Sequence, residues 1–428
     1  MVLVPSIITM AHLKCFQTSR PDLKHSAVAA SLLSHILYSL CMMLPKQTLP
    51  TDIMGAEDSS KLEASLLVDD TNLFACAASA RLWEGLLERY RIPFLLLLVA
   101  DVRMALDHAP TALPLYRELQ TTIQNINLAS WIDESDETIS FTRRVTDSLR
   151  LSIEYAPGQN WRPERLSEPF PLFKLSKETH SEIDRLWSEV SELENADRDL
   201  KTFHCIHTND IEGVGTLEDS SYLLLLTRGL FSANTRRETV VYTGELKEQP
   251  ELFLRVLRGT NNALSRVMEM ATSEHLTLTP AIICELHHVM LQGTQTVYLD
   301  DRDTLRYCAV GVTRQATQIN VTARLPTGKM VQFCPHTEVD SYMAYLYHRF
   351  NMLMKSLDED QLDAYACAAW ISQNFIDIHP FEVSFGIYYS PPRRLQSRMA
   401  MAGSRECSHP FPRATRSAPY LRYNGHQE

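Results

Sequence analysis

The chain has no C-x-x-C pair among its nine cysteines, which are odd in number and scattered from Cys15 to Cys407. That absence argues against a disulfide framework and points to a reducing compartment. Cys334 and His336 stand close together but lack a second ligand pair, so no metal-ligating residues are assigned from spacing. Positive charge is also short, with 41 Lys and Arg against 52 Asp and Glu and a net charge of −11. Broad affinity for nucleic acid phosphates needs a basic face, so no nucleic acid partner is expected. No clean membrane-spanning run is present either. Residues 27–44 are apolar over nearly the required length, yet Ser31, Ser34, His35 and Ser39 dilute them. An anchor there stays open beside a cytoplasmic or nuclear location. The extreme N-terminus has no short apolar run with a small-residue cleavage site, so a cleaved secretory signal is not expected.

What is present is a 45% hydrophobic content over 428 residues, enough for two or three cored domains. Residues 1–60 show no sustained period and carry Pro45, Pro50 and Gly55, which reads as a weakly ordered leader. A helical domain is expected over 61–155, with Leu82, Leu86 and Leu87 on one face and a buried helix opening at Pro93 before Phe94 to Val99. Pro157, Pro163, Pro169 and Pro171 then mark a linker over 156–175. Beyond it Ser176 is placed to N-cap a helix whose Ile183, Leu186, Trp187, Val190 and Leu193 recur at helical spacing, and this face is expected to meet the core. Further helices are expected over 252–271, 280–291, 338–350 and 361–377, the last with Leu362, Ala366, Ala369 and Trp370 on one face. Between them, residues 305–333 alternate β-branched and polar side chains around Pro326-Thr327-Gly328, the pattern of a short hairpin. The fold class is therefore mainly α.

The segment His379-Pro380-Phe381-Glu382 carries the chemistry. Pro380 disfavours helical geometry at His379, so the preceding helix must stop there and leave the histidine on a loop held by a rigid element. An imidazole titrates near neutrality and is suited to moving a proton. Upstream, Thr208-Asn209-Asp210-Ile211-Glu212-Gly213 matches the pattern [S/T]-x-x-x-E-[G/N], and Phe333-Cys334-Pro335 follows the hairpin.

In this order and spacing, residues 203–382 resemble the Fic (Fido) family, whose motif reads H-P-F-x-[D/E]-G-N-G-R-x-x-R. The resemblance implies a helical Fic core over 176–382, incomplete at its C-terminal end, with a β-hairpin flap. It implies AMP transfer from ATP to a Ser, Thr or Tyr hydroxyl of a protein substrate of unknown identity, with reversal of that modification as a second activity. His379 would be the general base, with Pro380 and Phe381 supporting the motif. Glu212 and Thr208 would belong to the inhibitory motif, Glu212 competing for the second motif arginine. Val312, Thr313 and Arg314 are nominated for the flap that clamps the target backbone by strand addition. ATP and Mg²⁺ are the implied cofactors, and a homodimer is a further partner to be tested. Two other readings stay open: a helical scaffold with a decayed Fic core, and a hydrolase using Cys334, His336 and His379.

After Glu382 the match ends. Val383-Ser384-Phe385-Gly386 replaces the glycine-rich turn, and residues 383–428 hold seven Arg, no Lys and two Glu. The expected loop for ATP and Mg²⁺ is absent from the chain as written, which is therefore expected to be inactive. The genetic code suggests a cause. Val383-Ser384 can be written GTAAGT, an intron donor, and Arg398 can be AGG, whose AG is an acceptor. Joining codon 382 to the last base of codon 398 shifts the frame. Met399 to Glu406 then read D-G-N-G-R-x-x-R, with both glycines forced and the other positions permitted. Residues 383–428 are accordingly read as a retained-intron or mis-spliced tail. Sequencing of the genomic DNA and the spliced transcript across codons 382 to 406 should yield D-G-N-G-R-x-x-R directly after Glu382. Bases at those junctions that forbid this reading would overturn it.

Overall fold

In the computed structural model the described residues are 53–68, 72–151, 174–192, 195–211, 214–231, 242–243, 249–271, 277–299, 304–324, 330–359 and 362–382. Residues 27–44, most of the linker and the tail lie outside them. The fold is mainly helical. Helices α1 (Ala56–Ser65), α2 (Leu73–Arg89), α3 (Pro93–Ala105), α4 (Ala109–Ile123) and α5 (Ile126–Leu151) form the N-terminal part. Then come α6 (Lys177–Ser191), α7 (Ala196–Ile211), α8 (Asp219–Arg228), α9 (Pro250–Ala271) and α10 (Pro280–Leu291). After α10 the chain forms α11 (Arg314–Thr317), α12 (Val339–Asp358) and α13 (Ala364–Ile378). Three antiparallel pairs are interspersed: β1 (Thr216–Leu217) with β2 (Tyr242–Thr243), β3 (Thr296–Leu299) with β4 (Thr304–Tyr307), and β5 (Thr322–Arg324) with β6 (Met330–Gln332). Among the described residues no helix is long and apolar enough to cross a membrane.

Local signals explain several helix starts. Pro93 and Pro280 sit in first turns, where a missing N–H costs nothing. Ser176 accepts the Thr179 N–H and Asn72 accepts that of Ala75, each satisfying an orphan donor. Asp363 caps α13 through Tyr365 and Ala366 and also accepts from Leu175 N at 2.9 Å and His180 Nε2 at 3.0 Å. Burial alone would raise its carboxyl, but these donors hold it down at about 2. One residue therefore starts α13 and ties down the chain that enters α6.

The hairpin β3–β4 divides two cores. Side chains alternate across a strand, and here each face belongs to a different cluster. Tyr298, Leu305 and Tyr307 pack with Trp83, Leu95, Leu96 and the other apolar residues of α1–α5. Val297 and Cys308 face the opposite way, toward Cys205, Phe253, Leu257 and Leu291 of α7, α9 and α10. A third cluster joins Cys334, Val339, Met343 and Ile378, bringing α12 against α13. Within α3, Asp101 is buried and accepts the Tyr116 hydroxyl at 2.7 Å, while burial pushes its carboxyl up to about 7.

Four expectations need correction. Helix α1 begins at Ala56 and Met54 is buried, so order starts inside the expected leader. The apolar stripe of α6 does not enter the core: Ile183, Leu186 and Val190 are only half-buried and Trp187 is 55% exposed, while Leu193 lies outside the described residues. Hydrogen bonds at its N-terminal end hold α6, which removes the need for a buried stripe. Of the face expected for α13, Leu362 is buried and Trp370 packs on the core, but Ala369 is exposed and the inner face runs on through Cys367, Asn374 and Ile378. Finally, one expected hairpin proves to be two, since β3–β4 precedes the Pro326-Thr327-Gly328 pair.

Helix α9 meets α10 backbone to backbone at Gly259, where an added Cβ would lie 2.0 Å from the Met290 carbonyl oxygen. Gly259→Ala should therefore lower the unfolding free energy by about 2–3 kcal/mol, although alanine is the better helix former. Gly85→Ala in α2, where a Cβ meets nothing within 4 Å, should instead stabilise by up to ~1 kcal/mol. Urea denaturation of both variants checks the contrast, and equal effects would contradict it.

Candidate functional site

Helix α13 stops at Ile378, and His379 follows as its C-cap with left-handed geometry, φ +50 and ψ +65. Its N–H still bonds Phe375 O at 2.9 Å. Pro380 denies His379 a helical continuation, and the left-handed turn redirects the chain so that the ring lies beside its own backbone. His379 Nδ1 is 2.9 Å from Phe381 O. Since a carbonyl only accepts, Nδ1 carries the proton and Nε2 keeps its lone pair. Nε2 is buried and has no hydrogen-bond partner among the described residues. Burial first, and the Arg314 charge second, pull the imidazole down to about 4. The ring is therefore neutral at physiological pH, with an accepting nitrogen in place.

Arg314 sets this loop. Its side chain is fully buried and donates from Nε to His379 O at 2.6 Å. Its other nitrogens donate to Ile378 O at 3.0 Å, Cys334 O at 2.7 Å and Ile319 O at 3.0 Å, while its own backbone N–H bonds Pro380 O at 2.7 Å. A guanidinium is suited to this because its donors lie in a fixed planar fork. The Arg314 side chain is thus committed to the protein's own carbonyls. Of the other residues nominated for the flap, Thr313 donates to Asp340 Oδ1 at 2.7 Å and Val312 packs against the N-terminal core. All three precede the hairpin β5–β6 and are not on its strands. Phe333, directly after β6, reaches the site itself: its ring centroid lies 4.5 Å from that of His379.

Phe381 is buried and stacks on His287 of α10, with centroids 3.8 Å apart and planes at 3°. His287 Nδ1 accepts the Gly311 N–H at 2.9 Å. Gly311 has φ +73, and a Cβ there would meet His288 Cβ at 3.0 Å, so glycine is required. Glu382 is buried against His108, whose Nε2 lies 2.9 Å from both carboxylate oxygens. Thr111 donates its hydroxyl to His108 O and faces His108 Nδ1 at 2.9 Å, so both ring nitrogens are placed to donate. Burial alone would raise the Glu382 carboxyl, but the His108 charge and hydrogen bond hold it below its ordinary value. His108 packs on Tyr307, and Tyr307 lies under Arg103, which pairs with Glu84 at 2.6 Å. A polar relay thus runs from the N-terminal helices to the end of the motif.

His379, Pro380, Phe381 and Arg314 are brought together. Thr208 is half-buried on α7, which packs on α9, and Glu212 lies outside the described residues. Cys334 is buried, its thiol pushed up to about 12 by burial, and His336 bonds Asn320, so neither is arranged for hydrolysis. His108, the N-cap of α4, and His287, beside His288 in α10, had no signal in the sequence, since a histidine's partners far along the chain leave no local mark. The residues present do not fit bound Mg²⁺-ATP: the acidic residue and glycine-rich turn that the resembled motif places after Glu382 are not in the sequence, and no three-ligand group occurs among the described residues.

Because the folded value for His379 lies below the ordinary 6.5, the unfolded chain binds more protons between those two pH values. Stability supplied by neutral His379 should be complete above about 6.5 and be lost as pH falls through about 4. The difference in melting temperature between the parent chain and His379→Gln should therefore shrink on acidification from pH 7 to 4. A difference constant across that range would contradict the buried neutral ring.

No protein family model matches the chain. No curated protein matches it either. Among solved structures, it is similar to a Fic domain containing signaling protein from Bacteroides thetaiotaomicron VPI-5482, with 22% identity, 48% of this chain and 68% of that chain covered, and a TM-score of 0.34.

Proposed function

We propose that the gene encodes a Fic-type protein adenylyltransferase, with His379 as general base for a protein hydroxyl, and that the chain as written does not catalyse the transfer. The observation that carries this reading is the His379 ring. Its Nδ1 proton is committed to Phe381 O, and its Nε2 lone pair is buried and unclaimed among the described residues. A buried polar atom without a partner costs free energy, so its retention in a loop this closely held favours a use outside the resting fold. Proton acceptance from an incoming hydroxyl satisfies Nε2 and leaves an imidazolium stabilised by the Phe381 carbonyl. Phe333 at the end of β6 then forms one wall for the group that approaches. The resemblance of the upstream segment assigns Glu212 to inhibition.

A second reading has its own observation. In this chain the acidic residue, glycine-rich turn and arginines that would hold the nucleotide phosphates and metal are missing from their places after Glu382. Phosphoryl-type transfer relies on positioning and charge neutralisation, so the loss should abolish turnover and leave a helical interaction protein.

One experiment separates the two. The full chain and a version carrying D-G-N-G-R-x-x-R after Glu382 are incubated with labelled ATP, Mg²⁺ and a cell extract. Label should enter protein only with the restored version, rise with Glu212→Gly and vanish with His379→Ala. Equal labelling by the chain as written would refute its inactivity, and no labelling by any restored variant would refute the transferase reading.

A further inference from the structure

Helix α10 presents two unlike faces. His287 stacks on Phe381 beside the His379 loop, whereas Val289 on the other face borders a separate cavity of about 380 Å³ between α9 and α10. That volume lies near the lower end of small-molecule sites. Its polar lining comes mainly from Arg255, Arg258 and Asn262 of α9 and from Gln292, which follows α10. Gly259 lets the two helix backbones touch and so forms the floor.

Both arginines are placed by backbone and by missing side chains. Gly293 has φ +76, and a Cβ on it would fall 2.3 Å from Arg255 Nη1, so the guanidinium fills the space a side chain would take. Arg258 donates from Nε to Leu230 O at 3.0 Å, which fixes its head. Neither forms an ion pair among the described residues. Arg81 adds a third positive charge behind Arg255: burial first, then the Arg255 charge, lower it to about 10. Two carboxylates are near. Glu251, on the cavity wall, acts on Arg81, and Glu88 accepts from Gln292 Nε2 at 2.7 Å. Among the described residues, three guanidinium groups against these two leave the corner positive. Planar guanidinium edges match pairs of phosphate oxygens, and the Asn262 amide supplies a neutral donor beside them.

We infer that this cavity binds a small phosphate-bearing anion, with Arg255 and Arg258 as its charged contacts. The site is distinct from the His379 loop, and the inference does not depend on the transferase reading.

Calorimetric titration of the full chain with inorganic pyrophosphate, at fixed ionic strength, tests it. Saturable binding is expected, at least tenfold weaker in Arg255→Gln and in Arg258→Gln and unchanged in His379→Ala. Protection of Arg255 and Arg258 from phenylglyoxal by pyrophosphate, read by mass spectrometry on the unmutated chain, keeps the test decisive should either variant unfold. Absence of binding, binding retained in the double arginine variant, or protection equalled by chloride would overturn the inference. Loss of binding in His379→Ala alone would place the anion at the other site and overturn it too.

Discussion

The buried Arg314 guanidinium is the constraint on which the rest of the site depends. It gathers carbonyls from the turn after α11, from the step after β6 and from the end of α13, adding fixed polar contacts to the apolar cluster of Cys334 and Ile378. Burying a cation is expensive unless its donors are satisfied. Here the acceptors include the last carbonyls of α13, where the helix dipole already concentrates negative charge. Each such charge-assisted bond is worth about 1.5–3 kcal/mol, enough in sum to offset the desolvation. The same cation lies close enough to His379 to disfavour a second positive charge there. Placement and protonation state of the histidine thus have a common origin.

Much of this was legible in the sequence where the controlling interaction is local. Pro93, Pro280, Ser176 and the His379-Pro380 step each act within a few residues of their own position, and the helices begin or end where these residues require. The fold class and the loop position of His379 followed from such signals. What could not be read depends on partners far apart in the chain. Glu382 and His108 are 274 residues apart, and nothing in either neighbourhood marks it as half of a pair. Arg314 failed for another reason: an arginine in a β-rich, turn-rich stretch reads as exposed, and only the convergence of several carbonyls makes its burial tolerable. The stripe on α6 shows the converse error. Periodicity predicted a helix correctly but could not say that hydrogen bonds to Asp363 would hold it with Trp187 left in solvent.

The two sides of β3–β4 explain why the N-terminal helices and the motif form one structural system. Removing α1–α5 would expose Tyr298, Leu305 and Tyr307 and strip Glu382 of its partner. A buried carboxylate left without its partner costs several kcal/mol, comparable with a large part of a domain's net stability. The N-terminal helices are therefore part of the framework that fixes the last residue of the motif.

That framework is complete at Glu382. The tautomer of His379 is set by Phe381, its position by Arg314, and the exit direction of the chain by His108, all from residues at or before 382. Whatever follows, therefore, meets an imidazole whose accepting nitrogen is already fixed and a carboxylate already held by His108. Under the proposed transferase reading, proton acceptance rests on residues before 383, whereas the phosphate-holding turn of the resembled motif would follow Glu382. On that reading, a change confined to the later segment would remove the transfer reaction and leave the His379 loop intact.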